Sequence, residues 1–148
     1  MSLLIIRVRY HPGAGRRHKI MNVALFFCES AETVATGKLD LRGIYNELYA
    51  PAFPARQDRL ILAGIVEWDR EDHGRQPFKI DLLDPDGTEI FTIDGHSVVE
   101  ARPEMRPPSK THLILPLENL IFQRAGTYPA MVQIRDQTIE GPSLYLMS

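Results

Sequence analysis

The sequence predicts an all-β protein, an antiparallel two-layer β-sandwich of about eight strands. Three observations lead there. Apolar residues recur at every second position in most runs, with little of the three-and-four spacing of a helix. Turn signals break these runs at short intervals, and 11 prolines with 10 glycines exceed what a helical bundle of 148 residues accommodates. The length suits one domain with a single core, and 44% hydrophobic with 24% charged residues is an ordinary globular composition.

In chain order, Leu4, Ile6, Val8 and Tyr10 share one side of a first extended run, which breaks at the turn His11–Gly15. Residues 23–28 (VALFFC) are apolar on both faces, which places that strand centrally between two layers. Ser30–Thr33 is read as the opening of one helical turn. After Gly37, residues 38–45 alternate again. Residues 50–55 (APAFPA) exclude regular structure and are read as a crossover between sheets. Residues 59–68 form the strongest β run and end at Trp68, before the acidic loop 69–76 (DREDHGRQ), which is read as a solvated hairpin end.

Residues 77–93 read as a hairpin: Phe78, Ile80 and Leu82 alternate with Lys79 and Asp81, and Asp84-Pro-Asp-Gly supplies the turn. Residues 102–108 are proline-rich and exposed. A strand follows from Lys110, with Pro116 at its end or on an edge, and residues 117–122 are read as containing a brief helical turn. Tyr128, Ala130, Val132 and Ile134 then align on one face of the next strand. Leu144 and Leu146 point inward from the last.

The charge is uneven. Net charge is −2, yet residues 1–20 hold Arg7, Arg9, Arg16, Arg17 and Lys19 and no acid, so the remainder is acidic. Residues 1–20 are therefore read as a basic N-terminal arm that can serve as a first strand, and 21–148 as the sandwich domain. The arm can pack on acidic faces, tether the domain to nucleic acid or membrane, or be an upstream extension with Met21 as the true start. The acidic body would repel phosphates, so the expectation is no nucleic acid and no membrane partner. The apolar patch at Leu3–Ile6 is too short for a membrane span or a signal peptide. Cys28 is the only cysteine and lies in an apolar run, which predicts a buried, inert thiol and a reducing, cytoplasmic compartment.

Two resemblances rest on particular words. Residues 126–130 (GTYPA) resemble the immunoglobulin-type turn in which a tyrosine precedes the second core cysteine by two positions. Ala130 stands in the cysteine's place, so the resemblance implies an immunoglobulin-like plan without its disulfide, with Trp68 a candidate for the core tryptophan. Residues 37–45 (GKLDLRGIY), 50–55 (APAFPA), 82–87 (LLDPDG) and the late GTY resemble a family of small bacterial single-domain proteins with no assigned activity. That resemblance covers residues 21–147 and implies a fold and a bacterial cytoplasm.

Chemistry is sparse. His11–Arg16 lacks the spaced glycines and the lysine of a phosphate loop. Glu67, Asp69, Glu71, Asp72 and His73, or Asp84, Asp86 and Glu89, are candidates for a calcium site. The first set alternates between faces and the second lacks a late bidentate acid. Asp94, His96, Glu100 and His112 are the binding candidates, and His96 with His112 can be imagined around zinc. Asp94, His96 and Ser97 are close in sequence, which does not make a triad. No cofactor is expected. The leading expectation is a non-enzymatic binding or assembly module, a protein partner or homo-oligomer engaging through loops or edge-strand pairing. One alternative is a metal-dependent hydrolase using His96 and His112. A second is a carbohydrate-binding module presenting Tyr45, Tyr49, Phe53 and Trp68.

Overall fold

The computed structural model describes residues 5–10 and 19–148, with side chains from Asn22 onward. Residues 11–18 and the side chains of the basic arm lie outside the described residues, and with them the turn expected at His11–Gly15 and the readings made of His11, His18 and the arm's charges.

The described residues form ten strands: β1 (Ile5–Tyr10), β2 (Lys19–Thr33), β3 (Leu39–Ile44), β4 (Leu48–Tyr49), β5 (Ala55–Glu67), β6 (Gly74–Leu83), β7 (Glu89–Val99), β8 (Lys110–Phe122), β9 (Gly126–Ile134) and β10 (Gln137–Met147). The first sheet runs β1-β2-β5-β8, with β3 also on β2; the second runs β4-β10-β9-β6-β7. Every pairing is antiparallel except the short parallel match of β4 with β10. The period-two reading is thus realised as two stacked layers. Val23, Leu25, Leu60, Leu62 and Val66 from the first sheet meet Ile80, Leu82, Ala130, Val132 and Leu144 from the second, all buried. Each of these valine, leucine and isoleucine side chains contributes about 1.5–3 kcal/mol by leaving water.

Two expected helical turns are strand instead. Residues 30–33 continue β2, and 117–122 continue β8. In both places the partner strand supplies the backbone bonds that the weak local pattern did not announce, through Ala31↔Leu41 and Leu120↔Gln57.

The long β2 has a further consequence. It pairs with β5 as far as Cys28↔Ile61, and straight continuation would bring Thr33 level with Arg56. Instead the Thr33 hydroxyl lies 3.4 Å from His112 Nδ1, and His112 pairs with Ile65 on the far side of β5. The β2–β3 hairpin therefore folds back over the outer face of its own sheet, covering Cys28, Ile61 and Ala63 with Ala31, Leu41 and Ile44. The bend sits at Glu29 and Gly43. Gly43 takes φ 64°, and the place a β-carbon would fill is occupied by the Glu29 side chain at 2.7 Å. Beneath, β2 and β5 approach so closely at Gly64 that a β-carbon there would stand 1.8 Å from the Ala24 carbonyl oxygen.

The acidic loop after Trp68 is not a hairpin end. It carries the chain from β5 in the first sheet to β6 in the second, and Asp72 within it is only 5% exposed. Burial of a carboxylate demands a partner, and Arg135 from the β9–β10 turn ion-pairs with Asp72. The same guanidinium donates from Nε to Gln76 Oε1 at 2.8 Å and lies 5.8 Å from the centre of the Trp68 ring. Trp68 in turn donates to Thr111 Oγ1 at 2.8 Å. At the opposite end, Asp84 Oδ1 accepts the N–H groups of Asp86 and Thr88, closing the predicted β6–β7 turn.

Candidate functional site: an open sheet edge

A sandwich leaves the outermost strands of each sheet with one row of unpaired backbone groups. Here these strands are β1, β3 and β8 in the first sheet and β4 and β7 in the second. Four of the five are blunted. Strand β4 has two residues, β1 has six with Arg7 and Arg9 among them, and β3 has six and bends at Gly43, φ 64°. Strand β8 is long but contains Pro116 and a positive φ of 55° at Asn119, whose side chain accepts from Arg56 Nη2 at 2.7 Å. Strand β7 differs: eleven residues, no proline and no positive φ.

The inner side of β7 is well anchored. Its register on β6 sets Ile93 against Ile80 and Phe91 against Leu82, over the core. Its outer side presents Thr92, Asp94, His96 and Val98 to water, with Val98 71% exposed. Beneath them on β6, Lys79 lies opposite Asp94 and Pro77 opposite His96. The Thr92 hydroxyl donates to the buried Asp81 at 2.7 Å, and Lys79 pairs with Asp81 at 3.7 Å and Glu89 at 4.0 Å. These contacts hold the strand flat against the sheet while leaving its far edge free.

The sequence-predicted site residues divide. Asp94 and His96 stand two apart on the outward side of β7, and Glu100 follows the strand's end, where its carbonyl accepts from the Ser109 hydroxyl at 3.0 Å. His112 lies on the outer face of the first sheet beneath the folded-back hairpin. His96 and His112 therefore point away from each other on opposite sides of two sheets stacked about 10 Å apart. Among the described residues no three His, Cys, Asp or Glu side chains converge on a common point.

The other acidic candidates have partners. Glu67 accepts from Asn22 at 3.2 Å and pairs with Lys110 at 3.5 Å, and Asp86 pairs with Arg124 at 2.6 Å. Of the aromatic candidates, Trp68 is 2% exposed, Tyr45 and Phe53 pack on the core, and only Tyr49 stands open at 70%. Two clefts, of about 170 Å³ beside Ser30 and Arg42 and about 120 Å³ beside Asp84 and Tyr128, fall short of the ~300 Å³ of a usual small-molecule site.

Sequence reasoning missed Thr92, Val98 and the edge itself. The available signal was a hairpin strand without proline; which side of the hairpin stays unpaired is decided by the rest of the sheet.

Two stacked, mostly antiparallel sheets with one long unblunted edge define a small all-β domain. The chain belongs to a family of unknown function, DUF6941, whose match spans residues 23–147. No curated protein matches the chain. Among the described residues no helix is long and apolar enough to cross a membrane.

Proposed function

We propose that the chain is a non-enzymatic assembly module that recruits an extended protein segment to the free edge of β7. The observation that carries this reading is the contrast among edges: β7 alone combines length with a backbone free of proline and positive φ, and its one register shift on β6 is confined to its first residues, between Glu89 and Phe91. Strand addition draws affinity from main-chain hydrogen bonds and specificity from alternate side chains, and β7 offers both. An immunoglobulin-like plan fits the same reading. The Tyr128 hydroxyl donates to the Arg124 carbonyl at 2.7 Å, four residues upstream, as a tyrosine corner does. A reducing, cytoplasmic setting is consistent with Cys28, the one cysteine, being buried.

Residue-resolved hydrogen exchange across a protein dilution series tests the reading. Alternate β7 amides should gain protection as concentration rises, while β8 amides do not change. Protection that grows at the loops or at β8, with β7 unaltered, would remove it.

A second reading keeps one observation: Tyr49 and Tyr145, 70% and 48% exposed, lie on the outer face of the second sheet at its other edge. Exposed rings of this kind stack on sugars. A glycan array with wild type and Tyr49→Ala decides it, and no tyrosine-dependent binding ends it.

A further inference from the structure

Asp94 and His96 bear on what pairs with β7. Unpaired charge on an edge ordinarily repels a second strand, and here the two side chains are of opposite character and stand symmetrically about Gly95. We infer that the strand added to β7 is β7 of a second copy, joined about a twofold axis through the Gly95 pair, so that each Asp94 faces the partner's His96. The inference rests on the reading of β7 as a pairing edge.

Three registers compete near the strand's centre. Directly opposed residues in an antiparallel pair share a face, so a slip by one would set core-facing Ile93 against outward residues and is excluded. Centring on Asp94 would put two carboxylates together, and like charges directly opposite are destabilising; centring on His96 would set each Asp94 against the partner's Val98, which offers the carboxylate no donor. Centring on Gly95 sets Asp94 against the partner's His96 twice over, by symmetry. The β-carbons of such opposed residues are about 4.5–5.5 Å apart. The carboxylate then accepts an imidazole N–H whichever protonation state the ring holds. The same register sets exposed Val98 against the partner's Thr92, and inward Ile93 against the partner's Ser97. The two five-stranded sheets become one continuous sheet.

Register is read by cysteine pairing. Thr92→Cys and Val98→Cys proteins, mixed and oxidised, should cross-link to each other and not to themselves. Two copies of residue 92 are offset by six residues, roughly 20 Å, beyond the ~7 Å limit of a disulfide. Cys28, fully buried, does not compete. Charge is read by exchange. Asp94→His and His96→Asp should each weaken the dimer about tenfold by sedimentation. The double variant regenerates the same pairs in reversed order and should recover to within about threefold.

Mixed cross-linking together with recovery supports the inference. Concentration-dependent protection of β7 with self-cross-linking of one variant, or with no recovery in the double variant, overturns the inference and leaves the pairing edge standing. A chain that stays monomeric with unprotected β7 amides and no cross-link overturns both.

Discussion

On the outer face of the first sheet, Cys28, Ile61 and Ala63 are buried beneath the fold-back of β2 and β3. On the outer face of the second, Lys79, Asp94, His96 and Glu140 meet water with nothing from the described chain laid over them. The central run of β2 and the middle of β5 are apolar on both sides, so the first sheet needs a cover on each. The core supplies one and the fifteen-residue β2 turns back to supply the other. Strands β6 and β7 are apolar on one side only and need no cover, which leaves the second sheet as the surface available for association.

The sharpest way to break this contrast is at Gly64. Alanine there sets a methyl group 1.8 Å from the Ala24 carbonyl oxygen, which is backbone and cannot rotate aside. The strands must part, and with them the ladder that launches the hairpin. Gly64→Ala should cost about 3–5 kcal/mol, near the upper end for a single substitution, seen as a large fall in the urea midpoint. A loss under about 1 kcal/mol would mean that β2 and β5 separate freely and that the first sheet is not built around their contact.

A smaller effect distinguishes cover from no cover. Leu41 is half-buried against the Cys28 cluster, and Leu41→Asp should cost roughly 1–3 kcal/mol. The same change should speed the reaction of Cys28 with a thiol reagent. On the second sheet, Thr92→Val removes the hydroxyl that donates to Asp81 and should cost about 1 kcal/mol. The Cys28 rate should not respond. Equal Cys28 rates in wild type and Leu41→Asp would show that β3 is not what shields the thiol.

Much of this plan is legible in the residues. Alternation from Phe78 to Leu82 and from Tyr128 to Ile134 places both strands with the right side inward, and Asp84-Pro-Asp-Gly marks its own turn. Apolar character on both faces of residues 23–28 foretells a doubly covered strand without saying what covers it. The continuation through Glu29–Thr33 is silent because those residues hold no alternating apolar set, and the strand exists through its pairing with β3. Asp72 is misjudged for a related reason: its partner Arg135 is remote in sequence and on a different turn. His96 and His112 look equivalent until each is assigned to a sheet, a property of the whole topology. The β7 edge is hidden for the same cause, since a hairpin strand reads alike whether or not a third strand lies beside it.

The smallest effect concerns protonation under the cover. Burial pushes the Cys28 thiol above its ordinary range, and the hydrogen bond from the Ser30 backbone offsets this only in part. The folded chain therefore holds the thiol proton more tightly than the unfolded chain does. The stability this contributes is fully present below the unfolded thiol value of about 8.5 and is lost as pH rises from there toward the folded value. Wild type should lose stability with rising alkalinity relative to Cys28→Ala, which has no thiol to ionise. Tyr45, raised chiefly by burial and further by the Glu29 and Cys28 charges, titrates from a higher starting value near 10, so the difference between the two proteins below that value reports the cysteine. Parallel pH profiles for the two proteins would mean that the thiolate is tolerated in place. The fold-back hairpin would then be admitting water to a face on which Ile61 and Ala63 are otherwise dry.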